Sequence, residues 1–136
     1  MITKTNQIVF ASDASNISLV EKFIEDVFKE LMLKDEMFGN ILVAVSEAVT
    51  NAMVHGNKSD ESKTVCLSMH QRSSNSICFT VEDEGQGFDP EQVPDPTAPE
   101  NLEKPNGRGI FLMRHLADKV DYDNDGTKVS IEFSYS

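Results

Sequence analysis

The sequence predicts an α+β fold, a two-layer sandwich in which three helices pack on one face of a mixed, mostly antiparallel sheet. Three observations lead there. Strand-like and helix-like apolar periodicities succeed one another in the order β-α-α-β-β-α-β-β. A length of 136 residues fits one compact domain, residues 1–136. Hydrophobic residues make up 39% of the chain, enough for a packed core and too many for a disordered segment.

The elements follow in order. Asn6 to Ala11 reads as a first strand with Ile8 and Phe10 on one face. Ser18 and Glu21 form a capping-box pattern ahead of an apolar stripe of Val20, Phe23, Ile24, Val27, Phe28 and Leu31, predicting a helix that ends near Leu33. A second helix runs from Asp35 to about His55, with Phe38, Ile41, Leu42, Val45, Ala48, Val49, Ala52 and Met53 inward. Gly56 then stands where a left-handed C-terminal cap is expected. Lys63–His70 and Ser76–Asp83 alternate as two strands of a hairpin turning within Gln71–Asn75. A third helix is expected from near Gly109, then a strand over Lys119–Tyr122, a turn at Asp125–Gly126 and a last strand containing Val129, Ile131, Phe133 and Tyr135. Between them, residues 88–106 hold all five prolines and little periodicity; a loop of that length inside a compact domain is functional or disordered.

Composition narrows the function classes. A net charge of -11 argues against broad binding to nucleic acid, whose phosphates call for Lys and Arg. No apolar run approaches the length needed to span a bilayer, and the N-terminus lacks the basic and apolar segments of a signal peptide, so a cytoplasmic protein without membrane attachment is expected. Cys66 and Cys78 are too few for a disulfide framework and lack zinc spacing; they read as reduced thiols in different cross-strand pairs.

Four features carry chemistry. Asp83 shares parity with Ile77, Phe79 and Val81, so its carboxylate points toward the helix-covered face, where it needs a donor. A ligand's amino group would supply one; so would backbone at the strand end. Gly85 and Gly87 follow directly, suiting a tight turn, a bulge or the close approach of a ligand. On the second helix Glu47 and Asn51 are four apart and face the same way, a carboxylate and an amide fit for a base and a metal ligand, or a solvated polar stripe. Finally, Gly107 and Gly109 open the third helix with Arg108 between them and Lys104 before them; such a helix start can dock an anion, or be an ordinary junction. No Walker-type or dinucleotide fingerprint is present.

The order of these features resembles one family. Ser46-Glu47-Ala48-Val49-Thr50-Asn51-Ala52-Met53-Val54-His55-Gly56 is similar to the N-box of the GHKL superfamily of ATP-binding domains, in the form found in bacterial anti-sigma-factor serine/threonine kinases. Asp83-x-Gly85-x-Gly87-Phe88 resembles its first glycine box, Gly107-Arg108-Gly109-Ile110 its second, and Gly126-Thr127 its last motif. The resemblance implies a Bergerat-type fold with ATP bound between helices and sheet. Asp83 would accept from the adenine amino group, supported by Thr127, Asn51 would ligate Mg²⁺, and Glu47 would act as general base. Residues 88–106 would form the ATP lid, with Gly107 and Gly109 on the phosphates and Lys104 and Arg108 adding charge. Mg²⁺ would also offset triphosphate repulsion in an acidic protein. The implied partners are a sigma factor or analogous regulator and a small antagonist phosphorylated on Ser or Thr, with a homodimer also implied. Two other readings stay open: a module that binds nucleotide only to shape a partner surface, and an ATPase that only hydrolyses ATP.

Overall fold

The computed structural model describes residues 5–85, 112–123 and 127–135. The expected element order is found in them. Strand β1 spans Thr5–Ala11, helix α1 Ile17–Leu31, helix α2 Phe38–Asn51, β2 Thr64–Ser73, β3 Ser76–Glu82, β4 Lys119–Asp123 and β5 Lys128–Ser134. Residues 112–116, ahead of β4, are helical. The start of this third helix, the proline-rich segment 88–106 and the Asp125–Gly126 turn lie outside the described residues.

The five strands lie in the order β1-β2-β3-β5-β4. Every pairing among them is antiparallel, so the expected mixed character does not appear among the described strands. Two helices intervene between β1 and β2, which frees the chain to return along β1 in the opposite direction. Register fixes the two faces. Phe10↔Val65, Leu67↔Val81, Phe79↔Ile131 and Tyr122↔Val129 put apolar residues inward, while the row Gln7–Ser68–Thr80–Ser130–Asp121 crosses the opposite face. This one-sided alternation is what an antiparallel sheet with a single covered face requires.

Both long helices use their apolar stripes as expected. Val20, Phe23, Ile24, Val27 and Phe28 of α1, and Ile41, Ala44, Val45, Ala48 and Val49 of α2, are buried against Val65, Leu67, Met69, Ile77, Phe79 and Ile131. Each large apolar side chain so buried contributes roughly 1.5–3 kcal/mol. Phe28 meets Phe38 edge-on at 5.2 Å between ring centroids, locking α1 to the start of α2. Within the helical stretch Asp35–Gly56 an 18-residue window has a mean hydropathy of 1.4, so by length and composition it is apolar enough to cross a membrane, contrary to the expectation that no run comes near this. Here its buried stripe packs on the sheet.

Local signals explain the helix ends, with one substitution of device. The capping box at Ser18 is not formed. Instead Asp13 accepts from the Ser15 N–H at 3.0 Å and caps a short 3-10 turn, Ala14–Asn16, that runs into α1. Ser18 Oγ donates back to the Ser15 carbonyl. At the other end Met32, 88% exposed, takes the left-handed conformation with φ 55°. Its side chain gains nothing there and its Cβ is strained. Met32→Gly is therefore expected to stabilise the fold by about 1 kcal/mol, seen calorimetrically as a rise of a few degrees in Tm.

Candidate active site

The C-terminal end of α2 meets the end of β3, and there the inward parity of Asp83 is realised. An open recess is bounded by Ala48, Asn51 and Ala52 from the helix, Val81 and Asp83 from β3, Met113, and Tyr122, Thr127 and Val129 from the β4–β5 hairpin. The two alanines leave the space that larger residues would fill. The walls are otherwise apolar, so the polar groups in them stand out.

Asp83 is held from both sides. Its N–H donates to the Thr127 carbonyl at 2.9 Å, and its Oδ1 accepts from the Gly85 N–H at 2.8 Å. Burial pushes its carboxyl above the ordinary carboxylate value, and nearby Glu82 adds to that, while the Gly85 N–H and Lys63 pull it down. A ligand donor would favour the ionised form further. Tyr122, deeper in the wall, is pushed up to about 12 by burial, so its phenol stays neutral. Asn51 Nδ2 is buried without a hydrogen-bond partner among the described residues. An orphaned amide at the edge of an apolar recess suits a polar ligand. Glu47 sits one helical turn before Asn51, about 6 Å along the axis, half-buried and outside the recess lining.

The structure thus brings Asn51, Asp83 and Thr127 to one recess, supports Asp83 through Gly85, and sets Glu47 one turn away. Gly87, Lys104, Gly107, Arg108 and Gly109 lie outside the described residues. Among the described residues no cluster of three His, Cys, Asp or Glu side chains could hold a metal. An ion beside Asn51 would take most of its oxygen ligands from a bound nucleotide and water, as Mg²⁺ commonly does. Cys66 and Cys78 are free thiols opposite Glu82 and His70.

Gly56 corrects an expectation. It is not a left-handed cap; Ala52–Gly56 instead widens into a π-helical turn, closed by the Asn57 N–H donating to the Ala52 carbonyl at 2.8 Å. The left-handed residues come later, at Lys58 and Ser59. Glycine is needed at 56 because a Cβ there would collide with the Asp83 carboxylate, and at 85 because a Cβ would collide with the Gly56 carbonyl. The helix end and the turn after β3 touch backbone to backbone.

Asn57, which the sequence reading passed over, ties this junction together. Fully buried, its Nδ2 donates to Ser12 Oγ at 2.8 Å and to the Thr64 carbonyl at 2.9 Å, and its Oδ1 accepts from the Glu84 N–H at 2.8 Å. One side chain joins the ends of β1 and β3 to the start of β2. A polar residue directly after the helix-ending glycine was the only available signal. Asn57→Leu, which strands these partners, is expected to cost about 3 kcal/mol in denaturant unfolding.

Comparison with known proteins agrees with this geometry. Residues 10–133 match the family described as histidine kinase-like ATPase domain. The chain is 38% identical over 100 residues to the anti-sigma F factor of Clostridium perfringens strain SM101, covering 69% of this chain and 70% of that protein. It is 28% identical over 127 residues to the serine-protein kinase RsbW of Staphylococcus aureus strain JH9, covering 88% and 80%.

Proposed function

Because the chain belongs to the histidine kinase-like ATPase domain family, we propose that it is a serine/threonine protein kinase of an anti-sigma-factor partner switch. It would bind ATP with Mg²⁺, sequester a sigma factor or analogous regulator, and phosphorylate a small antagonist protein. The observation that carries this reading is the inward carboxylate of Asp83 sharing one recess with Asn51, whose buried Nδ2 has no hydrogen-bond partner among the described residues. The relatives named as anti-sigma factor and serine-protein kinase support the choice of reaction.

Each residue then has a task. Asp83, fixed by Thr127 and Gly85, accepts a hydrogen bond from the adenine amino group. The recess walls Val81, Val129 and Met113 exclude water from the base. Asn51 donates its amide oxygen to the ion, which when bound neutralises the triphosphate. Glu47, one turn away, takes the proton from the attacking hydroxyl as that oxygen bonds to the γ-phosphorus of ATP and the bond to the departing ADP breaks. We assign phosphate contacts to Gly87, Lys104, Gly107, Arg108 and Gly109, and the covering of the nucleotide to residues 88–106, from the sequence motifs alone. The chain acts as one domain in this reading.

Glu47→Gln keeps the shape and removes the base. Transfer of labelled phosphate to the antagonist is expected to fall by about 10²–10⁴-fold while calorimetric ATP binding is unchanged. Transfer at the wild-type rate would sink the base assignment. Binding of the antagonist with no transfer by the wild type would favour a sequestering module, and phosphate release with no protein acceptor would favour an ATPase.

A further inference from the structure

The face of α2 that looks away from the sheet is unusual for this chain. From Phe38 to Val54 the only charged side chain is Glu47, whereas α1 carries six charges over its fifteen residues. Val43, Glu47, Thr50 and Val54 recur at helical spacing and so share one face. Val43 and Val54 are each 43% exposed, and Thr50 is exposed. The two valines stand on either side of Glu47, about 6 Å and 10 Å from it along the axis. Ile41, Ala44, Val45, Ala48 and Val49 are buried on the opposite face, which leaves Val43 and Val54 as the exposed large apolar side chains of this stretch. Depletion of charge is the compositional mark of the core of an interface.

Resting on the kinase reading, we propose that this face of α2 is the docking surface for the protein acceptor, with Val43 and Val54 as its apolar anchors. The occupant follows from Glu47. A hydroxyl losing its proton to that carboxylate must come within hydrogen-bond distance of it, so the polypeptide carrying it must lie along the same face. A neutral helix face calls for a segment whose Ser or Thr is flanked by apolar side chains rather than by basic ones.

The test titrates the unphosphorylated antagonist of the same organism into the chain loaded with Mg²⁺ and a non-hydrolysable ATP analogue. Val43→Lys and Val54→Lys should each weaken antagonist binding at least about tenfold, a loss typical of an interface anchor. Both should keep wild-type nucleotide affinity and Tm. Leu19→Lys, at 45% exposure on α1, should bind as wild type does. Equal binding by wild type and both valine variants, or no antagonist binding by the wild type, overturns the proposal. So does binding of the wild type to phosphatidylglycerol vesicles that is lost in Val43→Lys, which would make the face a membrane contact. The two readings fail separately. Antagonist binding that depends on the valines without any phosphate transfer removes the kinase and leaves the docking face. Transfer with KM unchanged in both variants does the reverse.

Discussion

Gly85→Ala is expected to abolish nucleotide binding and to destabilise the fold by about 2–4 kcal/mol. The added Cβ would collide with the Gly56 carbonyl, an atom of backbone that no rotamer change can move aside. Relief requires the turn after β3 to separate from the π-helical turn, and this pulls on three anchored groups. The Gly85 N–H would lose Asp83 Oδ1, the Glu84 N–H would lose Asn57 Oδ1, and Glu84 would lose the Thr64 N–H that its Oε2 accepts at 2.9 Å. Each hydrogen bond lost to a buried or charged partner costs about 1–3 kcal/mol, partly regained by rearrangement. Denaturant unfolding gives the stability, and calorimetric titration with ATP and Mg²⁺ gives the binding. A variant with the midpoint and affinity of the wild type would show that the two turns are not in contact.

Asp83→Asn is expected to leave stability within about 1 kcal/mol of the wild type while weakening ATP binding by about 10–100-fold. The isosteric amide keeps the packing against Gly56, and its carbonyl oxygen can still accept from the Gly85 N–H. What it loses is the charge that strengthens a hydrogen bond from the ligand's amino group, and half of its accepting capacity. Burial already disfavours the carboxylate, so replacing it by a neutral group is not costly to the empty fold. The ratio of the two effects is diagnostic. An Asp83→Asn chain with wild-type ATP affinity would mean that the carboxylate serves only its own strand end.

The same residue shows why part of the candidate site is legible in the sequence. Parity along β3 fixes the side on which a residue lies, so an ionisable group in the apolar phase of a strand declares itself. The i, i+4 spacing of Glu47 and Asn51 likewise follows from helix geometry. The existence of α1 and of the sheet strands is readable because each carries a strong apolar period, but β2 runs on to Ser73, through residues expected in the hairpin loop, because Gln71 and Ser73 pair with Ile77 and Ser76. What escaped depends on contacts between segments distant in sequence. Gly56 and Gly85 are 29 positions apart, and nothing local tells that their backbones touch; a glycine at a helix end suggests a cap because that is its usual local use. Asn57 bonds to Ser12, Thr64 and Glu84, three partners no periodicity connects. The π-helical turn is likewise set by the junction it serves, since the wider turn gives Gly56 its approach to Asp83.

The place of β5 has a consequence for how the chain is made. It follows β4 in sequence but inserts between β3 and β4, so the inner edge of β3 has no partner until β5 arrives. Phe79 pairs with Ile131 and Phe10 with Val65, contacts whose closure spans some fifty residues each. Chains dominated by such distant pairings fold slowly, because loop entropy is lost before the contacts return it. During synthesis, Ile77, Phe79 and Val81 therefore wait on a bare edge until the C-terminal strand leaves the ribosome. A chain cut short before Lys128 would present that edge to other molecules rather than fold around it.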